Sequence, residues 1–321
     1  MAVYNPTGSG SVHIDRILTE ISLGWPNNGL VGEQLFPAVT VKKQSDKYYV
    51  FGREGWNAEE DKRAPGTVAH EIPGLALSTD TYYAQEHALQ IPVTDEEREN
   101  ADDGLAPDRD ATELLTSKIM LGRELAMKTM VTTAANYNAS NQKIYIDANA
   151  QYDEAASVPL ADFRLARNTI HSKIFMEPNV ALIPWRVMSA LEDHADFINR
   201  IQYTERAILT PEILQSILGI QKIIVPGAGY NTAKAGQAVS LAYIWGDDVV
   251  VAYVPPRPGR MIPAFGYEFK WGQQVVDRWR EEPRKSDLIR CSRRYDLKMV
   301  GVDGSGLSIS GFIIKNTLIG I

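Results

Sequence analysis

The sequence predicts an α+β fold, and three observations carry that prediction. A run from Ala111 to Ala135 is rich in helix formers and free of proline. Between Leu160 and Val225 helical segments alternate with short apolar runs, the pattern of helices layered on a sheet. After residue 264 apolar residues recur at every second position, as in Phe265, Tyr267 and Phe269 and again in Tyr295, Leu297 and Met299, which marks strands with two distinct faces. With 321 residues, 44% of them hydrophobic, the chain can bury a sizeable core and divide into two or more compact parts. No apolar run approaches the roughly 18 residues of a membrane-spanning helix, and the start MAVYNPTGSG is neither basic nor apolar enough for a signal, so no membrane partner is expected.

Residues 1–35 read as an arm. A Gly/Ser/Asn-rich start leads into a short amphipathic piece with Ile14, Ile17, Leu18 and Ile21, closed by Gly24, Trp25 and Pro26. So short a helix is marginal alone and needs a surface to pack on. Residues 36–94 are extended in character, with Ala38–Val41 and Tyr48–Phe51 on one side of a polar middle and Gly74–Leu77 and Tyr82–Ala84 on the other. The middle, Arg53 to Gly66, carries charges of both signs around Trp56 and ends in a Pro-Gly turn. A long two-stranded ribbon needs cover, either from its own domain or from a partner.

Asp95 to Asp110 is dominated by Asp and Glu, with Arg98 and Arg109 the basic residues. It reads as a solvated linker or as the negative approach to a helix, and Asp108 and Asp110 support the second by sitting where carboxylates favour a helix N-terminus. The spacing then predicts one helix over 108–135, about 40 Å long, with Leu115, Ile119, Gly122, Ala126 and Met130 near one face and Leu114, Leu121 and Leu125 widening it. Beyond the polar residues 136–154, a second helix is expected from Leu160 to Phe175 with Leu160, Phe163, Ala166, Ile170 and Ile174 inward. A buried strand at Val180–Ile183, a helix from Trp185 to Asn199 and a capped helix from Thr210 to Gly219 follow. Leu218 to Pro256 reads as a strand at Ile223–Val225, a small polar loop around Tyr230 and Asn231, and two strands joined in a tight hairpin at Gly246, Asp247 and Asp248. The Pro-rich segment 254–263 precedes the final strands, which end on Phe312, Ile313 and Ile314.

Motifs that carry chemistry are missing. The histidines at 13, 70, 87, 171 and 194 form no HExxH helix or Cys/His cluster, and Glu192-Asp193-His194 reads as the polar face of a helix because sequence neighbours on a helix diverge. Gly227-Ala228-Gly229 follows a strand, yet the third glycine of a dinucleotide loop is absent and Pro226 interrupts the junction. No nucleophile elbow or phosphate loop occurs, so no catalytic residue, no metal ligand and no cofactor is expected. Cys291 is the single cysteine and reads as a small buried strand residue. The net charge of −7, from 33 basic and 40 acidic residues, excludes a protein whose main task is gripping nucleic acid. The basic segment from Arg278 to Arg294 has no interleaved stacking ladder and reads as solvated strand edges and intersubunit salt bridges before DNA contact.

The order of these segments resembles that of the major capsid proteins of tailed phages, the lambda type especially. The resemblance rests most on Leu218-Gly219-Ile220, Tyr230-Asn231-Thr232-Ala233-Lys234 and Ile244-Trp245-Gly246, which are similar to the A domain of that family. It implies an N-terminal arm (1–35), an extended hairpin loop or E-loop (36–94), a P domain (95–177) with its spine helix at 108–135, a mixed α/β A domain (178–263), and return strands (264–321) that complete the P domain.

The implied function is mechanical, not enzymatic. Copies of the chain would form hexamers and pentamers of an icosahedral phage head, assembled in the host cytoplasm, that encloses double-stranded DNA through weak non-specific contact. The implied partners are the chain itself, a portal and a decoration protein; residues 1–35 leave no room for a fused scaffolding domain, so a separate scaffolding protein is expected. Intersubunit contacts would fall on Lys47, Tyr48, Arg53, Trp56 and Arg63 in the loop, on Tyr230, Asn231 and Trp245 near the ring centre, and on Arg278 and Arg284. Lys47 and Lys62 match a crosslinking lysine by position only, and no crosslink is expected. Two readings stand beside this one: an encapsulin-type shell of the same fold, and a phage or prophage enzyme with a dispersed active site.

Overall fold

The run of helix formers folds as a single helix, and two sheets are built against it. The computed structural model describes residues 13–14, 29–51, 56–59, 61–72, 74, 77–101, 106–146, 151–154, 156–201, 210–234, 236–259 and 262–318. In chain order the elements are β1 (His13–Ile14), β2 (Ala38–Val41), β3 (Ser45–Phe51), β4 (Leu77–Tyr83), β5 (Gln85–Thr94), α1 (Asp95–Glu99), α2 (Pro107–Thr132) and β6 (Gln142–Ile144). They continue with α3 (Pro159–Ile174), β7 (Val180–Leu182), α4 (Trp185–Glu192), α5 (Ala195–Ile201), α6 (Pro211–Leu218), β8 (Lys222–Ile224), β9 (Gly229–Asn231), β10 (Leu241–Tyr243) and β11 (Val249–Ala252). The last are β12 (Gly266–Trp271), β13 (Val275–Glu281), β14 (Ser286–Met299) and β15 (Gly311–Lys315). Ile14 lies on a strand that pairs with β13; Ile17, Leu18, Ile21, Gly24, Trp25 and Pro26 lie outside the described residues.

β14 is the axis of the larger sheet. It pairs antiparallel with β13 over Ser286–Ser292, with β12 over Tyr295–Met299 and with β5 over Ser286–Tyr295, so β13 and β5 must lie on its opposite edges. β2 adds to β12 in parallel, with Ala38 opposite Glu268. The second sheet runs β6-β15-β11-β7-β8. Both of its faces are covered, which is why its strands read as unbroken apolar runs. Ala181, Val249, Val251, Phe312 and Ile314 meet Phe163, Ile170, Leu191 and Leu214 of α3, α4 and α6. Their neighbours Val180, Leu182, Val250, Ala252 and Ile313 point the other way, toward Leu35, Phe36, Met127, Val131 and Trp245.

The long helix serves both sheets. Its N-terminal half places Ala111, Leu115 and Ile119 on Val93, Val276, Ile289 and Cys291 of the larger sheet, and its C-terminal half places Met127 and Val131 on the second. At 26 residues it is about 39 Å long. The inward face departs from the expected one past Ile119: Gly122 and Ala126 are exposed, Leu114 is exposed, and Arg123 and Glu124 are buried. An apolar pattern cannot see this, because the two charged side chains go inside only by virtue of partners distant in sequence. The C-terminal end is finished in the same way. Asn136 Nδ2 donates to Met130 O, Tyr137 Oη to Val131 O and Lys315 Nζ to Thr132 O, which satisfies carbonyls that the helix itself leaves open.

Elsewhere the expectations hold with local changes. The five inward residues of α3 are all buried, and Gly219 takes the left-handed conformation (φ 64°) that closes α6. Thr210 occupies the N-cap position of α6, but its side chain makes no capping bond. The helix expected over 185–199 is broken between Glu192 and Ala195, because buried His194 turns its Nδ1 back to accept the N–H of Asp196. The polar residues 136–154 contain β6, and β9–β10 form a ribbon of their own. The expected hairpin at Gly246 does not exist: β10 pairs with β9, whereas β11 enters the second sheet.

Glu124 accepts four N–H bonds at 2.8 to 3.0 Å, from Val31 N, from Gly32 N to each oxygen, and from Trp245 Nε1. Beside it Arg123 bonds Glu33 at 2.5 Å and Glu268 at 3.3 Å, and Arg293 bonds Glu268 at 2.7 Å. We expect Glu124→Ala to cost about 3–5 kcal/mol in urea unfolding, since it strands buried donors and opens a cavity. Glu124→Gln, which keeps one acceptor, should cost less.

Glu33 ionises more readily than an ordinary glutamate: burial opposes it, but the charge and hydrogen bond of Arg123, with Arg293 and Lys270 behind, outweigh burial. A lowered folded value means that its stabilisation is complete above the unfolded value and disappears as pH falls through the folded one. Because its side chain is 56% exposed, solvent screening reduces the contribution to about 1 kcal/mol. The stability gap between the wild type and Glu33→Gln should therefore be about 1 kcal/mol at neutral pH and close below about pH 4, as read by urea titrations across pH.

Candidate assembly interface

The β3–β4 ribbon is anchored to the body at its base. Tyr48 and Tyr82 stack on Phe269 at 5.4 and 4.8 Å, and Tyr83 N donates to Asp296 Oδ2 at 2.9 Å. Antiparallel pairing from Ser45 with Tyr83 to Phe51 with Leu77 then carries the ribbon outward, and among the described residues it pairs with no other strand. Its tip is exposed throughout 56–59 and 61–72.

The loop residues singled out by sequence therefore separate. Lys47 and Arg63 are exposed, as is Lys62. Trp56 is 53% exposed, and its one aromatic neighbour among the described residues is Phe175 of the same chain. Tyr48 is half-buried, and its hydroxyl donates to Asp80 at 2.5 Å. Burial and that bond push its hydroxyl well above the usual tyrosine range. For Asp80, burial opposes ionisation, and the Tyr48 hydroxyl and the Thr81 N–H outweigh it. Tyr48 is thus committed to its own subunit. Arg53 lies outside the described residues.

A second projection is the β9–β10 ribbon. Asn231 Oδ1 accepts N–H bonds from Ala233 and Ser240 and closes the loop, while Tyr230, half-buried, sits opposite Ala242. The ribbon displays Val239, Leu241 (78% exposed) and Tyr243 to solvent. Sequence reading missed these three; the available signal was an alternation with no visible core to receive it. Trp245 is a correction. It is 1% exposed and its indole is engaged by Glu124, so it holds the subunit together and presents no contact surface.

The basic segment is mostly neutralised inside the chain. Arg278 pairs with Asp287 at 2.6 Å and Asp108 at 3.4 Å, Arg280 with Asp95 at 2.5 Å, and Arg294 with Glu86 at 3.5 Å, while Arg290 pairs with Asp277. The partners come from β5, α1, α2 and neighbouring strands, and which acid meets which arginine depends on the strand register and on elements distant in sequence. Arg278 therefore ties the start of α2 to the larger sheet within the subunit. Arg284 is exposed, with Glu281 at 3.4 Å.

One arrangement invites a catalytic interpretation, and its hydrogen bonds argue against it. Ser157 Oγ lies 2.9 Å from His194 Nε2, but Nδ1 accepts the Asp196 N–H at 3.1 Å. The neutral ring then carries its proton on Nε2 and donates to the serine, the reverse of a base poised to remove the serine proton. Among the described residues no group of His, Cys, Asp and Glu converges as a metal site, and no helix is long and apolar enough to cross a membrane.

No protein-family model matches the chain. The major capsid protein of Burkholderia phage BcepMu is 28% identical over 304 residues, which span 93% of this chain and 96% of that protein. A phage-related protein from Bordetella bronchiseptica RB50, known from a crystal structure, matches with a TM-score of 0.75 at 24% identity over 97% of this chain and 99% of that one. A chain of the mature capsid of bacteriophage PhiM1 matches with a TM-score of 0.55 at 10% identity over 99% and 93%. Two sheets on one long helix with a projecting ribbon give this chain the fold seen in phage capsid structures, and its sequence is similar along nearly its whole length to a phage major capsid protein.

Proposed function

We propose that copies of this chain associate as hexamers and pentamers and close into an icosahedral head around double-stranded DNA. The observation that carries the proposal is the β3–β4 ribbon, most of whose surface beyond its base a lone subunit leaves exposed, with Trp56 on Phe175 its one ring contact there among the described residues. On this reading residues 36–94 form the E-loop, with Lys47, Trp56, Arg63 and Arg53 meeting an adjacent subunit. Residues 95–177 and 264–321 form the P domain around α2, and 178–263 form the A domain. Tyr230 and Asn231 shape the β9–β10 ribbon, whose exposed Leu241 and Tyr243 suit a ring-building contact, and Arg284 is available for a rim salt bridge. Such contacts are heterologous, with unlike patches meeting around each ring.

The partners proposed are a separate scaffolding protein, a portal, a decoration protein and the packaged genome. A net charge of −7 suits a wall that must enclose DNA without immobilising it, since each phosphate contact adds a salt-dependent attraction. The chain's work on this reading is mechanical, with no catalytic step and no cofactor.

Expression of the full chain, alone and with its scaffolding protein, should yield closed shells by negative-stain electron microscopy; protein that stays monomeric in every assembly condition would refute the proposal. Reversing both tip charges, Lys62→Glu with Arg63→Glu, should lower the yield of shells at least severalfold at low salt and leave the monomer's thermal midpoint within about 1 °C, because exposed charges add little to folding. On a denaturing gel, mature particles should run as a single band at the monomer mass, and a ladder of covalent multimers would overturn the expectation of no crosslink.

A further inference from the structure

Phe175 stands out twice. It terminates α3 in the left-handed conformation (φ 52°), which is unfavourable for a bulky side chain and usually given to glycine, and its ring is 63% exposed. Strain of this kind persists where the surrounding structure or a function holds it in place. The ring receives Trp56 from the ribbon tip edge-on, with centroids 5.0 Å apart and planes at 73°, and His171 has its ring centroid 6.3 Å away. Among the described residues this is the tip's one ring contact with the body of the chain, and both partners remain more than half exposed.

We propose that Trp56 and Phe175 form an intrasubunit latch that holds the ribbon tip against its own subunit until a second copy of the chain competes for it. This inference rests on the shell-subunit reading for its partner, a neighbouring copy. The latch is suited to release. An edge-to-face pair that is half solvated is a weak restraint, so opening is a matter of a two- to tenfold shift in population. Opening frees a large aromatic side chain at the end of a lever anchored at Tyr48 and Tyr82. A deeply buried tip would trap the ribbon, and a tip with no contact would leave it free to pair with any exposed edge before a correct partner arrives.

The test uses the full chain labelled with 5-fluorotryptophan, dilute and unassembled, with the Trp56 resonance identified by its loss in Trp56→Phe. Phe175→Gly removes the ring and suits the positive φ, so it is expected to fold. In that variant the Trp56 resonance should move toward the solvent-exposed position while the signals of the other tryptophans, of six in all, stay in place. Shell formation at fixed concentration should become two- to tenfold faster. Phe175→Tyr, which retains the ring, should match the wild type in both measurements. An unmoved Trp56 resonance in Phe175→Gly would overturn the latch, as would a moved resonance with unchanged or slower assembly. A wild type that never forms shells would count against the shell reading instead, and the Trp56 resonance would still decide whether the latch exists.

Discussion

The carboxylate of Glu124 is the point on which the subunit depends. A buried charge is costly unless its lone pairs are filled, and here they are filled by N–H groups from Val31, Gly32 and Trp245, positions 93, 92 and 121 residues away. The requirement acts in both directions. The segment after the N-terminal residues must present two successive amides, and its Gly32 can carry no side chain, since a Cβ there would lie 2.3 Å from Met127 Sδ and 2.7 Å from Glu124 Oε2. Trp245 must enter the core far enough to bring Nε1 within 2.8 Å. One side chain in the middle of α2 thereby fixes how the N-terminal segment, the long helix and the second sheet meet.

A neighbouring network does the same for the larger sheet. Arg123 and Arg293 converge on Glu268, and Glu33 adds a second carboxylate from the surface side. The two buried guanidinium groups have more positive charge than Glu268 alone can balance, and Glu33 supplies the difference. Further out, Asp287 lies among Arg98, Arg278 and Arg280 and joins α1 and α2 to the sheet. Burial works against its ionisation, and Arg278 and Arg98 more than compensate. Paired charges of this kind contribute less to net stability than to a unique arrangement, because any other register would bury some of them unmatched.

What could be read from the sequence follows from which forces act locally. α3 was legible down to its five inward residues, since apolar periodicity alone determines which side it buries. The end of α6 at Gly219 was legible too, for a different local reason: a glycine just past the last periodic residue marks a helix C-terminus. α2 was legible as a helix but not in its facing: Arg123 and Glu124 look like solvent residues until Glu268, Trp245 and the amides of residues 31 and 32 are known. The break at His194 depended on a side chain capping the next helix. The assumed hairpin at Gly246 failed because a tight turn says nothing about which sheet each flanking strand joins. Trp245 was misassigned to a surface for the same lack of long-range information, and the pairs of Arg278 were invisible because its acidic partners are on other elements. The two projecting ribbons were visible as extended or polar stretches, yet the alternation Val239, Leu241, Tyr243 reveals an apolar surface only after the core is seen to be complete without it.

β14 has a mechanical meaning that a list of its pairings hides. It is 14 residues long and bonded along its length to β13, β12 and β5. Its inter-strand bonds lie across the strand, so tension applied along it loads those bonds side by side, in shear, and they must fail nearly together. A ribbon pulled from one end fails bond by bond, like a zipper, at far lower force. The subunit thus combines a stiff element that resists stretching in the plane of its sheet with a peelable ribbon at its edge. Under load, failure would begin in the ribbon and leave the sheet intact.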